Sequence, residues 1–223
     1  MKAMILAAGR GERMKPLTDA QPKPLLKVGG KALIEYHIES LASTGFRDLV
    51  INTGWLGEQI PQYLGDGSRW GVRIAYSHEG WPALETGGGL FKALPLLDHQ
   101  PFLVVNGDVW TDWRAVAPQL PLQWRDTTLA HLVLVPNPPQ HVRGDFGLQQ
   151  GRVTDQAEQR HTFSGIGFYH PDLFAGCQSG PFKLAPLLYE QARVGRISGE
   201  LFTGAWHDIG TPERLRQLDQ KLS

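Results

Sequence analysis

Three short runs of this chain are apolar and carry no polar face. Residues 2–6 close on Met4-Ile5-Leu6, a second run is Leu49-Val50-Ile51, and a third is Phe102-Leu103-Val104-Val105. A strand with one face in water alternates apolar and polar residues, whereas a strand without alternation is buried on both faces. Between these runs lie segments with helical spacing. In residues 32–44, Ile34, Ile38 and Leu41 fall on one face and Gly45 supplies the stop. Residues 57–64 predict a short helix, and residues 88–97 predict one that is helical from Leu90 onward. Val72, Ile74 and Tyr76 alternate with polar or small residues, as in a half-buried strand. The rhythm of strand and helix predicts an α/β domain with a mostly parallel sheet covered on both faces. The length, 223 residues, suits one such domain.

The second half is less regular. Residues 128–135 and 163–169 predict strands, and residues 146–153 predict a hairpin turning at Gln150-Gly151. Residues 183–194 predict a helix with Pro186 in its first turn, and residues 212–222 a last helix with Thr211 as N-cap and Pro212 at its first position. Pro136-Asn137-Pro138-Pro139 is the best candidate for a division of the domain into two halves, 1–135 and 136–223.

Charge excludes one class of partner. Lys plus Arg and Asp plus Glu are equal at 22 each, with no basic stripe, so a nucleic-acid partner is not expected. The lone Cys177 has no disulfide partner and reads as a packed thiol. The N-terminal apolar run is too short for a signal peptide, and no stretch has the apolar length to span a membrane. A soluble, cytoplasmic protein is expected.

The segment after the first strand carries the chemistry. It reads Leu6-Ala7-Ala8-Gly9-Arg10-Gly11-Glu12-Arg13, followed by Pro22-Lys23-Pro24. A strand running into a Gly-rich loop places backbone N–H groups around an anion, and Gly9 and Gly11 let the backbone come close. The third glycine of the dinucleotide fingerprint is missing, and no Gly-Lys-Ser/Thr follows as in a P-loop. The Arg13 guanidinium can grip two phosphate oxygens at once. Lys23, between two prolines, is expected to be held stiff and extended and to point at one phosphate. Asp108 ends a strand in Asn106-Gly107-Asp108, where ligands of open α/β sheets bind. Asp112 reads as the N-cap of a following helix.

This signature resembles that of the sugar-1-phosphate nucleotidyltransferase family, and the resemblance spans nearly the whole chain. Trp206-His207-Asp208-Ile209-Gly210-Thr211-Pro212-Glu213 is similar to the family's Trp-x-Asp-Ile/Val-Gly-Thr-Pro ending. The resemblance implies a Rossmann-like three-layer sandwich with a mixed, mostly parallel sheet, the GT-A-like nucleotidyltransferase fold. It implies transfer of a nucleoside monophosphate from an NTP to a sugar 1-phosphate with release of pyrophosphate, with Arg13 and Lys23 catalytic. Leu6, Ala7, Ala8, Gly9, Gly11, Arg13, Lys23, Glu79, Thr86, Gly87 and Gly88 would bind the nucleotide. In that set the backbone of Thr86, Gly87 and Gly88 would read the base edge. Asn106, Gly147, Glu158, Ser164 and Gly165 would bind the sugar, and Asp108 and Asp208 would hold Mg²⁺. On this reading residues 1–135 are mainly the nucleotide half and 136–223 mainly the sugar half. His207 points away from Asp208 along an extended segment and reads as structural.

Two departures alter the sugar pocket. Many relatives carry Glu-Lys-Pro, with the lysine on the sugar phosphate, where this chain has Gln156-Ala157-Glu158-Gln159-Arg160-His161. Relatives often have Asn-x-Gly-Ile/Val where this chain has Phe163-Ser164-Gly165-Ile166. Arg143, Arg160 and Lys183 are the alternatives for the missing charge. Within the family, Glu85-Thr86-Gly87-Gly88-Gly89 and Thr162-Phe163-Ser164-Gly165-Ile166 resemble the uridylyltransferases that act on N-acetylmuramate 1-phosphate in peptidoglycan recycling. UTP is therefore the favoured NTP. Mannose-1-phosphate guanylyltransferases are the alternative, and after them a non-catalytic subunit that binds sugar nucleotide. A glycosyltransferase would usually show an Asp-x-Asp pair, which Asp108 lacks. No hexapeptide repeat follows the last helix, so the acetyltransferase activity and trimerisation such repeats bring are not expected, and the chain should act as a monomer or small homo-oligomer.

Overall fold

The computed structural model describes residues 1–115, 120, 124–125 and 127–222. In chain order the first half contains β1 (Ala3–Leu6), β2 (Lys27–Val28), β3 (Lys31–Ala32), α1 (Leu33–Ser43), β4 (Asp48–Thr53), α2 (Gln59–Leu64), β5 (Arg73–His78), α3 (Glu85–Ala93), β6 (Phe102–Asn106) and β7 (Val109–Thr111). The second half adds β8 (Ala130–Val135), β9 (Gly147–Gln149), β10 (Arg152–Thr154), β11 (Thr162–Tyr169), α4 (Leu184–Arg193), β12 (Ile197–Leu201), β13 (Trp206–Asp208) and α5 (Pro212–Leu222).

Nine strands form one sheet in the order β5-β4-β1-β6-β11-β8-β12-β10-β9. Only β11 and β10 run against the other seven. Alternate residues of the apolar runs enter opposite cores, which is why those runs show no polar face. Ala3, Ile5, Leu49 and Ile51 pack under α1 and α2 with Ile34, Ile38 and Ile60. Met4, Val50, Phe102 and Val104 pack on the other side with Leu90 of α3 and Leu184 and Leu188 of α4. A third cluster ties Met14 and Val28 to Ile209, Leu215 and Leu218 next to and within α5. The sheet passes without a break from one half of the chain to the other, and residues 136–139 lie in a loop between β8 and β9. No helix among the described residues is long and apolar enough to cross a membrane.

Three elements differ from the sequence expectations. Strand β12 has weak apolar patterning in Ile-Ser-Gly-Glu-Leu, yet it is parallel to β8 and its first three residues are buried. A Cβ on its Gly199 would stand 2.7 Å from Val153 and 2.9 Å from the Leu132 carbonyl oxygen, so the glycine lets the β9–β10 hairpin close over the strand. Helix α3 begins at Glu85, not Leu90, and a 3₁₀ turn, Leu94–Leu97, follows it. Its three glycines cost helix propensity, but Gly87 and Gly88 let the segment carrying Gly180 and Phe182 lie directly on the helix, and Gly89 makes room for Glu79. The Gly88 N–H donates to the Phe182 carbonyl at 3.1 Å, and the Phe182 N–H to the Leu84 carbonyl at 3.2 Å. Residues 112–115 are not helical, and the remainder of the helix expected after Asp112 lies outside the described residues.

A Cβ at position 88 would lie 2.2 Å from the Gly180 carbonyl oxygen, a backbone atom that cannot rotate aside. Gly88→Ala is expected to destabilise the protein by about 1–3 kcal/mol, read as a lower urea midpoint at unchanged slope.

Candidate active site

The ends of β1, β4 and β6 coincide, with Leu6 opposite both Asn52 and Asn106. Past Leu6 the chain enters the Gly-rich loop. Gly11 adopts the left-handed conformation, φ +66°, and starts a 3₁₀ turn, Glu12–Met14. The Met14 N–H and the buried Thr18 hydroxyl both donate to the Gly11 carbonyl, each at 2.9 Å. A Cβ on Gly11 would meet Thr18 at 3.0 Å and Lys23 at 3.3 Å, so the glycine also lets the lysine segment close on the loop.

A cleft of ≈ 510 Å³ opens above these strand ends. Leu6, Ala7, Ala8, Gly9, Gly11, Arg13, Lys23, Glu79 and Thr86 line it, together with Asn106 and Asp108. Gly87 and Gly88 do not. Both are buried within α3 against residues 180–182, and the Gly88 N–H is bonded to the Phe182 carbonyl.

Lys23 differs from its expected extended form. Pro22 is extended, but Lys23 opens a 3₁₀ turn, Lys23–Leu25. The lysine side chain is only 9% exposed and its ammonium meets Asp108 Oδ2 at 2.8 Å. A buried ammonium needs such a partner, because desolvation penalises an unpaired charge.

Asp208 reaches the same place by a second ladder. Strand β13 is antiparallel to β7, with Asp208 opposite Val109, and the Ile209 N–H donates to the Asp108 carbonyl at 2.9 Å. The Asp208 carboxylate is bonded to the guanidinium of Arg214, which also donates to the Asp208 carbonyl at 3.3 Å. Sequence reasoning missed Arg214. Its signal was its place, since a cation in the first turn of a helix opposes the helix dipole and needs another reason to be there. A Cβ on Gly210 would lie 3.0 Å from Asp208 Oδ1 and 3.2 Å from guanidinium nitrogens of both Arg13 and Arg214, so this glycine lets the three converge. His207 turns the other way onto Trp110, with ring centroids 5.8 Å apart, and burial pushes its pKa below the usual histidine range.

No group of three or more His, Cys, Asp and Glu that could hold a metal occurs among the described residues. What the strands bring to one cavity is an oxygen-only pair, Asp108 and Asp208. That donor set fits Mg²⁺, which takes one or two carboxylates and fills its octahedron with water and phosphate oxygens.

Beside the cleft lies a second cavity of ≈ 300 Å³. Arg13, Asn106 and Asp108 line both. Ser164 and Gly165 line the second, with Gln140, His141, Trp206 and Asp208. Gly165, φ +81°, makes room for Asn106, whose Cγ would be 2.6 Å from an added Cβ. Gly147 and Glu158, expected at the sugar, line neither cavity. The hairpin holding Gly147 is the far edge of the sheet, where an added Cβ would strike Ala157 at 2.2 Å. Glu158 lies in a separate outer groove with Arg143 and Arg160.

The cleft walls are braced by a residue not singled out from sequence, Asn52. Its Oδ1 accepts the Ala7 N–H at 2.7 Å and its Nδ2 donates to Glu79 Oε1 at 2.6 Å. Glu79 Oε2 accepts the Leu84 N–H at 2.8 Å, so both carboxylate oxygens hold protein groups. On the rim Trp81 is 54% exposed and meets Trp55 edge-on at 5.4 Å. Arg10 lies 3.8 Å over the Trp55 ring.

Residues 2–159 match the family described as nucleotidyl transferase. The chain is 52% identical over 222 residues to an N-acetylmuramate alpha-1-phosphate uridylyltransferase of Neisseria meningitidis, covering 97% of this chain and 96% of the relative. A Caulobacter vibrioides protein of the same name is 31% identical over 233 residues, covering 99% and 96%. A mannose-1-phosphate guanylyltransferase catalytic subunit beta of Dictyostelium discoideum is 40% identical over 224 residues, covering 96% of this chain and 62% of the relative. The crystal structure of a Bacillus anthracis chain, assigned as a glucose-1-phosphate thymidylyltransferase and solved with sucrose, superposes with a TM-score of 0.86. It covers 100% of this chain and 95% of that one at 21% identity, a likeness of fold alone.

Removing Asn52 leaves the buried Ala7 N–H and one oxygen of Glu79 without partners. Asn52→Ala is expected to cost about 1–3 kcal/mol in urea unfolding. It is also expected to shrink the rise in melting temperature that a nucleoside triphosphate produces.

Proposed function

The chain belongs to the nucleotidyl transferase family, and we propose that it transfers the uridylyl group of UTP to N-acetylmuramate 1-phosphate, giving UDP-N-acetylmuramate and pyrophosphate. The observation that carries this reading is the near full-length identity to two relatives of that name. Two adjoining cavities that share Arg13, Asn106 and Asp108 are the arrangement such a reaction needs, one for each substrate. The guanylyltransferase reading has less support, since the chain spans 62% of the relatives that carry that name. Work in the cytoplasm as a step of peptidoglycan recycling, by a monomer or small homo-oligomer, is part of the same proposal.

The phosphate of a sugar 1-phosphate is mostly dianionic at neutral pH, its second pKa being about 6. One of its oxygens attacks the α-phosphorus of UTP directly, without a general base. The bond from that phosphorus to the oxygen bridging to the β-phosphate breaks, and pyrophosphate leaves with the electron pair. The obstacle is bringing two anions together, so catalysis rests on positioning and on preformed positive charge. In this reading the amides of the Gly9–Gly11 turn and the Arg13 guanidinium hold the leaving pyrophosphate. Lys23 turns from Asp108 to the α-phosphate, already desolvated and held by its turn. Arg214 fixes the orientation of the Asp208 carboxylate. Asp108 and Asp208 would hold Mg²⁺, which supplies charge neutralisation between the two phosphates when bound.

The test is pyrophosphate release in the presence of Mg²⁺, each nucleoside triphosphate against a panel of sugar 1-phosphates. UTP with N-acetylmuramate 1-phosphate is expected to be preferred. A preference for GTP with mannose 1-phosphate would move the assignment to the guanylyltransferases. In the same assay Asp108→Asn and Lys23→Ala are each expected to lower kcat by at least roughly a hundredfold, and full turnover in either would sink the reading.

A further inference from the structure

We infer that His141 is the side chain that recognises a second anionic group on the sugar, the carboxylate of an acidic sugar 1-phosphate. The inference rests on the proposed function and deepens it. N-acetylmuramate differs from a neutral N-acetylhexosamine by a lactyl ether whose carboxylate is ionised at neutral pH. That carboxylate must enter a cavity that already contains Asp108 and Asp208, and burying it without a cation or strong donor is costly.

The cations expected from sequence to serve the sugar are elsewhere. Arg143 and Arg160 line the outer groove, and Lys183 caps α4 and lines neither cavity. Of the side chains able to carry positive charge, those lining the second cavity are Arg13 and His141. Arg13 also lines the nucleotide cleft and converges with Asp208 at Gly210, so it faces the phosphates. His141 is the side chain of this kind left for the sugar body.

Its ring is set in place for that task. His141 Nε2 is 3.0 Å from Asp145 Oδ1. A carboxylate only accepts, so Nε2 carries the proton there. Asp145 is itself fixed, because its Oδ2 accepts the Phe163 N–H at 2.8 Å and its own N–H donates to the His161 carbonyl at 2.8 Å. The ring therefore keeps one nitrogen on Asp145 and leaves Nδ1 as its remaining polar group. In the imidazolium form Nδ1 donates to a second carboxylate, a charge-assisted hydrogen bond. Asp145 is tied to the same residue stretch, 163–165, that lines the sugar cavity, so the ring and the sugar share one frame. A neutral sugar 1-phosphate offers this nitrogen no anion.

The readout is a ratio: kcat/KM with N-acetylmuramate 1-phosphate divided by kcat/KM with N-acetylglucosamine 1-phosphate, the same sugar without the lactyl group, both with UTP. His141→Ala is expected to lower the ratio about tenfold or more, and His141→Gln, which keeps a neutral donor, to lower it less. Loss of folded enzyme lowers both acceptors alike and leaves the ratio unmoved. A wild-type ratio at or below one overturns the acidic-sugar reading and this assignment with it. A wild-type ratio well above one that survives both substitutions overturns the assignment of His141 alone.

Discussion

The register of β1 between β4 and β6 is the constraint on which the rest of the site depends. Leu6 is level with Asn52 on one side and Asn106 on the other. A slip of one residue would exchange the two faces of a strand that is apolar on both sides. It would also misalign three loop origins that now leave the sheet at one level: the Gly-rich turn, the Asn52 brace and the Asn106-Gly107-Asp108 corner. The parallel arrangement converts a packing requirement of the core into the convergence of groups far apart in sequence. Gly107 shows how tight that corner is, for its N–H donates to the Leu6 carbonyl at 2.9 Å and an added Cβ would lie 2.6 Å from the same oxygen.

A chain with no net charge concentrates charge where the strands end. Lys23 is paired with Asp108, Arg214 with Asp208, and Arg13 stands beside Gly210 between them. Partly buried pairs of this kind contribute little to stability, since desolvation offsets most of the attraction. In the proposed reaction their value would lie in orientation: cations and carboxylates are already placed and partly stripped of water before substrate arrives.

What the sequence made legible was what is local. The apolar runs, the Gly-rich loop that follows the first of them and the last helix with its Thr211 cap are short-range patterns, and each stands where the pattern placed it, whereas Lys23, expected extended between its prolines, opens a 3₁₀ turn. What escaped depends on a partner distant in the chain. The packing of Gly87 on Phe182 and of Gly88 on Gly180 joins segments that inspection of the sequence cannot pair. Gly147 answers to Ala157 in the same way. Glu158 follows a hairpin that the sheet order carries to its far edge. Strand β12 is a strand because β8 lies beside it, not because its own residues alternate. Asn52 and Arg214 are ordinary polar residues in sequence and acquire meaning only through Ala7, Glu79 and Asp208.

The ladder that sets Asp208 beside Asp108 joins the last strand of the chain to one near its middle. Arg214, which holds that carboxylate, comes later still. Domains generally fold as units. The Gly-rich turn and the strands around it are synthesised well before this second carboxylate. A half-made chain carries Asp108 but no complete pair of aspartates. The site is therefore complete only once the last strand has been made, and a product truncated before β13 would lack the Asp208 ladder altogether.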